Sequence, residues 1–245
     1  MTKRNENQPT PVRSPASSRI ALDAAAAGLR GALIFPGDQH FDSARRGYNL
    51  IHDRRPALVF RPVDADDVAR ALLFARNAGL EIAVRGGGHS LAGYSSTDQG
   101  LLLDLRSLHR VEIDPATRIG WAGGGTTAGA FTSAAVARGL VVPFGDNASV
   151  GVGGITLGGG IGWLSRKYGL SLDSLVGVQM VTADGATIVA SDGEHPDLFW
   201  AIRGGGGNFG VVTRFRFRLH PISRVLGGAL VLPASRAVNS AVWRS

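Results

Sequence analysis

His89 is the residue in this chain that most invites a chemical reading. It stands in Arg85-Gly86-Gly87-Gly88-His89-Ser90, a glycine-rich loop at the end of a predicted strand. A neutral imidazole nitrogen is a nucleophile. Beside a loop that a ligand's backbone can approach closely, it could become bonded to that ligand. The plainer alternative is a loop histidine that only hydrogen-bonds backbone. Two further glycine clusters occupy residues 151–162 and 204–210. Backbone N–H groups converge on a phosphate only where side chains do not intrude. Three such loops in one domain suit a ligand with an extended phosphate-bearing backbone, and a dinucleotide fits that better than a lone phosphate.

The familiar nucleotide signatures do not apply. Gly205, Gly207 and Gly210 match G-x-G-x-x-G literally, but the sequel VVTRFRFRL reads as a strand. A Rossmann site needs a helix there to receive the pyrophosphate. After Gly86 and Gly88, the third glycine position holds Leu91, and no helix pattern begins. No Gly-Lys-Ser/Thr occurs, so the P-loop is absent as well.

The glycines have to serve backbone geometry. There are 35 in 245 residues, about twice the usual share. The hydrophobic fraction of 44% is that of a globular protein, which excludes a low-complexity tract. The absence of Cys excludes disulfides, iron–sulfur ligation, zinc fingers and a thiol nucleophile. The net charge of +7 is localised: residues 1–200 hold 19 basic and 19 acidic side chains, while residues 201–245 hold seven Arg and no acid. Arg214, Arg216 and Arg218 alternate with Phe215, Phe217 and Leu219, the period of a strand with one solvated face. That is expected rather than a nucleic-acid surface, which interleaves bases and aromatics on one face. Residues 1–18 are polar and Pro/Ser-rich, a disordered lead. The stretch 20–35 is broken by Asp23 and Arg30, too short and too charged for a secretory core or a membrane span. No nucleic-acid or membrane partner is expected, and the neutral body without a signal points to the cytoplasm.

The elements that position these residues follow from periodicity. Residues 21–33 read as a short helix ending at Pro36-Gly37, and 57–60 as a strand. Asp64 caps a helix running to about Asn77, with Val68, Ala71, Leu72 and Ala75 on one apolar stripe and Gly79 as its stop. Residues 81–84 form the next strand, completing a unit of the length a right-handed crossover needs. Strands follow at 101–105, 110–113 and 119–122. Thr126 or Thr127 caps a helix that carries Phe131, Ala134 and Ala135 inward and ends at Gly139. Strands at 176–182 and 187–190 flank the hairpin signal Asp184-Gly185. Residues 197–203 suit a short helix and 211–219 the clearest strand.

Taken in order, several segments resemble one family: Pro36-Gly37-Asp38; Val84 through Ser90; Gly151-Val152-Gly153-Gly154-Ile155-Thr156-Leu157-Gly158-Gly159-Gly160-Ile161-Gly162; Gly169-Leu170 with Asp173; Val181-Thr182-Ala183-Asp184-Gly185; and Asp197 through Thr213. Together they resemble the FAD-linked oxidases of the berberine-bridge-enzyme type, in the vanillyl-alcohol-oxidase superfamily, whose FAD domain is called PCMH-type. Each piece is weak alone; in sequence from about residue 35 to 222 they are specific.

The resemblance implies an α+β fold, a PCMH-type FAD-binding domain of two α+β subdomains with FAD between them. That domain would span residues 35–222, after a lead and short helix at 1–34 and before the start of a linker at 223–245. It implies that the loop Arg85, Gly86, Gly87, Gly88, His89 and Ser90 wraps the pyrophosphate, and that His89 bonds the flavin 8α carbon. Gly151, Gly153, Gly154, Thr156 and Gly160 would lie along the ribityl chain and pyrophosphate, and Gly210 and Val212 beside the adenine. Many members carry a second flavin link through Cys in P-x-G-x-C. Here Pro143-Phe144-Gly145-Asp146-Asn147 puts Asn147 in that place, either to hydrogen-bond the flavin edge or simply to make a turn. Val150 takes a place that governs oxygen access in the family, or is only a small core residue. The implied activity is oxidation of a small alcohol- or amine-bearing substrate, with hydride passing to flavin N5 and oxygen as the final acceptor. Family members are about twice as long and carry the catalytic base in a substrate domain, so no base is assigned. The alternatives are a flavin-binding module without turnover, or an inactive fragment needing a partner chain.

Overall fold

A computed structural model describes residue 26, residues 28–227 and residue 231. The lead expected to be disordered, most of the predicted first helix and most of the expected linker lie outside the described residues. The helix expected up to residue 33 is corrected at its end. Ala32–Ile34 is strand β1, paired antiparallel to β2, Leu58–Arg61, with Leu33 opposite Phe60. The alanine-rich lead favours helix locally, but an open sheet edge offers a ladder that outweighs weak propensity. Pro36-Gly37 makes the turn after β1: Gly37 has φ of 96°, and the Asp38 N–H donates to the Phe35 carbonyl at 3.0 Å.

After helix α1 (Phe41–Arg45) and β2, the chain forms α2 (Ala65–Asn77), β3 (Ile82–Arg85) and β4 (Leu101–Asp104). The first sheet has the order β1-β2-β4-β3, and β2 and β3 both run parallel to β4. The crossover is therefore present, with β4 inserted between its two strands. Asp64 caps α2 as expected, its carboxylate accepting the Asp67 N–H at 2.9 Å.

The second half contains β5 (Val111–Asp114), β6 (Ile119–Gly123), α3 (Ala128–Val136), β7 (Leu140–Val141), α4 (Val152–Leu157), α5 (Ser165–Tyr168), β8 (Leu175–Val181), β9 (Thr187–Ala190), α6 (Pro196–Gly205), β10 (Val211–Arg218) and β11 (His220–Pro221). Five of these strands form an antiparallel sheet in the order β5-β6-β10-β8-β9. Thr127, not Thr126, caps α3. The glycine-rich stretch after residue 150, which shows no periodicity, contains the short helix α4.

Burial explains the division. Leu58, Phe60, Leu101 and Leu103 with Val68, Ala71 and Leu72 make one core, which also takes in Val181 and Val211 of the second sheet. Phe131, Phe144, Phe215 and Phe217 fill the other. In it Phe131, Phe144 and Phe217 meet edge-to-face at 5.3–5.5 Å. Helix α2 packs against β4 and also against β8 and β9, so it is the shared wall of the two α+β halves. The alternating arginines on β10 behave as a solvated strand face. Arg214 donates to Glu112 at 2.7 Å, and its guanidinium and that of Arg216 lie 4.4 and 5.6 Å from the Trp121 ring centroid. Among the described residues no helix is long and apolar enough to cross a membrane.

Candidate functional site

The site lies where the loop after β3 meets the segment leading into α4. A Cβ on Gly87 would overlap the backbone nitrogen of Gly151 and come within 2.8 Å of the Ser149 carbonyl oxygen. The two chains can cross here only as glycines. A Cβ on Gly86 would lie 3.0 Å from the Gly124 carbonyl oxygen, and one on Gly124 would lie 2.5 Å from that of Val212. Gly88 has φ of 77°, a conformation that disfavours other residues.

The run Gly123-Gly124-Gly125 therefore sits at the junction of all these segments, and reading the sequence for three glycine clusters overlooks this fourth. The signal was present in composition alone. A Cβ at either flanking glycine would strike backbone, the Leu108 carbonyl at Gly123 and the Leu105 carbonyl at Gly125.

His89 stands at the rim of this crossing, partly buried. Its ring stacks on Tyr48, with centroids 4.2 Å apart and planes at 18°. Its Nε2 lies 2.9 Å from Ser149 Oγ, which lies 2.8 Å from Asn147 Oδ1. Asn147 Oδ1 also accepts the Ser149 N–H at 3.0 Å, an Asx turn. Asn147 thus makes a turn, and that turn reaches His89 through Ser149. Tyr48 and Ser149 were not found from sequence. Tyr48 is far away along the chain and no spacing links it to the loop, whereas Asn-x-Ser is an Asx-turn pattern that could have been read.

Arg85 is held differently from its neighbours. Its side chain is 1% exposed. It donates to the carbonyls of Ala44, Arg45 and Arg46 at 2.7, 2.6 and 3.2 Å, and to that of Ser95 at 3.1 Å. Burial pushes its pKa down to about 10, with the Asp104 charge acting against that. The guanidinium closes the end of α1 onto the loop, which commits the Arg85 side chain to the fold. Ser90 is likewise engaged in its own turn, its hydroxyl accepting the Tyr94 N–H at 3.1 Å. One strand along, Asp104 is fully buried between Arg61 Nε at 2.9 Å and Arg106 Nη2 at 2.7 Å. Burial works to raise its pKa, but the hydrogen bonds and charges of Arg106 and Arg61 prevail and hold it below the ordinary carboxylate value.

The remaining expected residues divide into two groups. Gly151, Gly153, Gly154 and Thr156 belong to α4 and its start, beside the crossing. Gly160, Gly210 and Val212 each have a packing role within the protein. Gly160 has φ of 82°, and a Cβ there would overlap Ser171. Gly210 has φ of 142°, with the Val181 carbonyl oxygen 2.5 Å from a built Cβ. Val212 lies in the second core. The Val150 carbonyl accepts the Ala128 N–H at 2.8 Å, fixing the entry to α4. The third glycine cluster joins the same surface, since the Gly206 N–H donates to the Leu157 carbonyl at the end of α4.

Two features of α4 fit a closely approaching cofactor. Gly154 is exposed and helical, without a positive φ, and nothing lies within 4 Å of a Cβ built on it. Glycine in a helix costs about 1 kcal/mol against alanine, and no contact among the described residues requires it. At and beside α4, the hydroxyls of Thr156 and Thr126 are buried without a hydrogen-bond partner among the described residues. Val152, at the start of α4, donates its N–H to the Thr126 carbonyl at 2.9 Å, so Thr126 flanks the helix that holds Thr156. An open glycine on α4, with one unpartnered hydroxyl on that helix and one beside it, suits a polar, elongated group. The larger groove on the outer face of the second sheet, about 420 Å³ and lined by Glu112, Trp121 and Arg216, has no such features.

Comparison with known proteins agrees. Residues 56–191 match a family model described as an FAD binding domain. The chain is 42% identical over 196 residues to (R)-6-hydroxynicotine oxidase of Paenarthrobacter nicotinovorans, covering 80% of this chain and 43% of the relative. The fold superposes on wild-type BBE-like 1 of Physcomitrella patens with a TM-score of 0.79 at 34% identity, covering 82% of this chain and 44% of that one. It also superposes on the glucooligosaccharide oxidase of Acremonium strictum, described as carrying a 6-S-cysteinyl, 8α-N1-histidyl FAD, with a TM-score of 0.78 at 33% identity and coverage of 82% and 42%. The chain thus spans less than half the length of the relatives it matches. The match over residues 56–191, more than half of the chain, makes it a member of the FAD-binding-domain family.

Proposed function

We propose that this chain binds FAD along α4 and the crossing of residues 86–88 with 151, attaches it through His89, and serves the oxidation of a small alcohol- or amine-bearing molecule. The observation that carries the reading is Gly154: an exposed helical glycine with no steric reason among the described residues. When bound, FAD supplies a hydride acceptor at N5 and passes the electrons to oxygen. The chain's own residues bind and orient. The backbone at Gly86, Gly87, Gly88 and Gly151 offers N–H groups unobstructed by side chains, Thr126 and Thr156 offer hydroxyls, and the Tyr48 ring holds His89 in place. With no Cys in the chain, a thiol link is excluded, and attachment rests on the histidine. The relatives named above act on a hydroxylated nicotine and on glucooligosaccharides, and substrate class is not decided by a shared FAD domain.

A second reading, a flavin-binding module without turnover of its own, is favoured by large exposed apolar side chains. Trp163 is 86% exposed and Trp200 75%. The test is to saturate the purified chain with FAD and follow flavin bleaching under nitrogen with a panel of sugars, alcohols and amines. Bleaching that reverses in air supports the oxidase. Bound flavin that no substrate bleaches supports the module. A folded chain with no affinity for FAD would refute both.

A further inference from the structure

Ser149 carries an inference about the histidine beside it. Its hydroxyl has one proton and two acceptor lone pairs. Two atoms compete for that proton: Asn147 Oδ1 at 2.8 Å and His89 Nε2 at 2.9 Å. The Asn147 side settles the direction. The Ser149 backbone N–H also points at that amide atom, at 3.0 Å, and an NH2 group there would set donor against donor. The atom is therefore the carbonyl oxygen, and the Ser149 hydroxyl donates to it. Ser149 Oγ then presents only lone pairs to His89, so Nε2 must carry the ring proton. A neutral imidazole has one N–H, which leaves Nδ1 with a free lone pair and, among the described residues, no hydrogen-bond partner. The Tyr48 stack fixes the ring plane, and Tyr48 is itself tied to the loop by its N–H to the Gly88 carbonyl at 3.0 Å.

We propose that Asn147 and Ser149 are positioning residues that hold His89 as its Nε2–H tautomer, leaving Nδ1 unprotonated for the flavin attachment proposed above, the same type of linkage as the 8α-N1-histidyl FAD described for the glucooligosaccharide oxidase. The bonding part rests on the flavin reading above; the tautomer does not. The reaction balances with oxygen as oxidant. The Nδ1–C8α bond forms, the flavin methyl carbon gives up one proton and Nε2 another, and two electrons pass through the ring to oxygen, which leaves as hydrogen peroxide. The Nε2 proton is the one already directed at Ser149, so the same residue that sets the tautomer faces the proton that must depart.

The test uses the whole 245-residue chain and two readouts. In the flavin-free protein, long-range proton–nitrogen correlation spectra of the His89 ring report which nitrogen is protonated. The expected result is Nε2–H in the unaltered chain, in Ser149→Thr and in Asn147→Asp, which keep the hydroxyl and the acceptor oxygen, and a tautomer mixture in Ser149→Ala. With added FAD, acid-resistant flavin should accumulate roughly tenfold more slowly in Ser149→Ala, the scale of one lost hydrogen bond, while Ser149→Thr stays near the unaltered rate. Reversible FAD affinity should be unchanged by either substitution. An Nδ1–H tautomer in the unaltered chain, or full-speed attachment in Ser149→Ala, overturns the proposal. An unaltered chain that takes up no FAD overturns the flavin reading and with it the role of Nδ1, and the spectra then decide the tautomer alone.

Discussion

Gly153 and Gly154 are neighbours in α4 with opposite requirements. A Cβ at Gly153 would press on the Phe215 ring at 3.2 Å, inside the second core. One at Gly154 would meet nothing. Replacing each by alanine separates protein packing from ligand approach. Gly153→Ala is expected to lose about 1 kcal/mol of stability through overpacking. Gly154→Ala should gain about 0.5–1 kcal/mol in the flavin-free protein, as a compatible helical position does. It should nevertheless bind FAD roughly tenfold more weakly, about 1.4 kcal/mol, because the methyl occupies the approach. Denaturant melts and FAD titration of both variants check this, and unchanged affinity in Gly154→Ala would remove the argument for a cofactor lying along α4.

At the scale of elements, α2 holds the two halves in register. Leu72 is buried in the core that α2 shares with Val181 and Val211. Leu72→Ala should cost about 3 kcal/mol and lower the midpoint of a single transition, because the helix has neighbours in both sheets. Independent melting of the halves would contradict that. Asp104 adds a pH-dependent link through Arg61 and Arg106. Its folded pKa lies below the ordinary value of 3.8. The unfolded state therefore binds its proton first. The contribution is complete above the ordinary carboxylate value and is lost as pH falls through the lowered folded value. Asp104→Asn should cost about 3 kcal/mol near neutrality, since it strips charge from a buried group with two cationic partners. It should also flatten the acid side of the stability profile, as melts between neutral pH and pH 3 would show.

Across the whole molecule, what was legible in the sequence was local. Asp64 at the cap of α2, the apolar stripe through Leu72 and the alternation along β10 each declare their element within a few residues. The glycine loop with His89 stands out for the same reason. What was not legible depends on meetings between distant segments. Strand β1 forms because β2 has a free edge, which the alanine-rich lead does not announce. Tyr48 reaches His89 only through the folded path of the loop. Arg85 reads as a loop cation, yet burial and carbonyls from α1 make it a clamp. Gly160 and Gly210 read as ligand glycines beside Gly154, and only a built Cβ shows that packing within the protein requires them as well. The most direct test is to express residues 1–245, purify the chain, denature it in acid and illuminate the gel band. The account predicts a fluorescent band in the unaltered protein that disappears in His89→Ala. A soluble, folded chain without attached flavin, or a band that persists in His89→Ala, would contradict it.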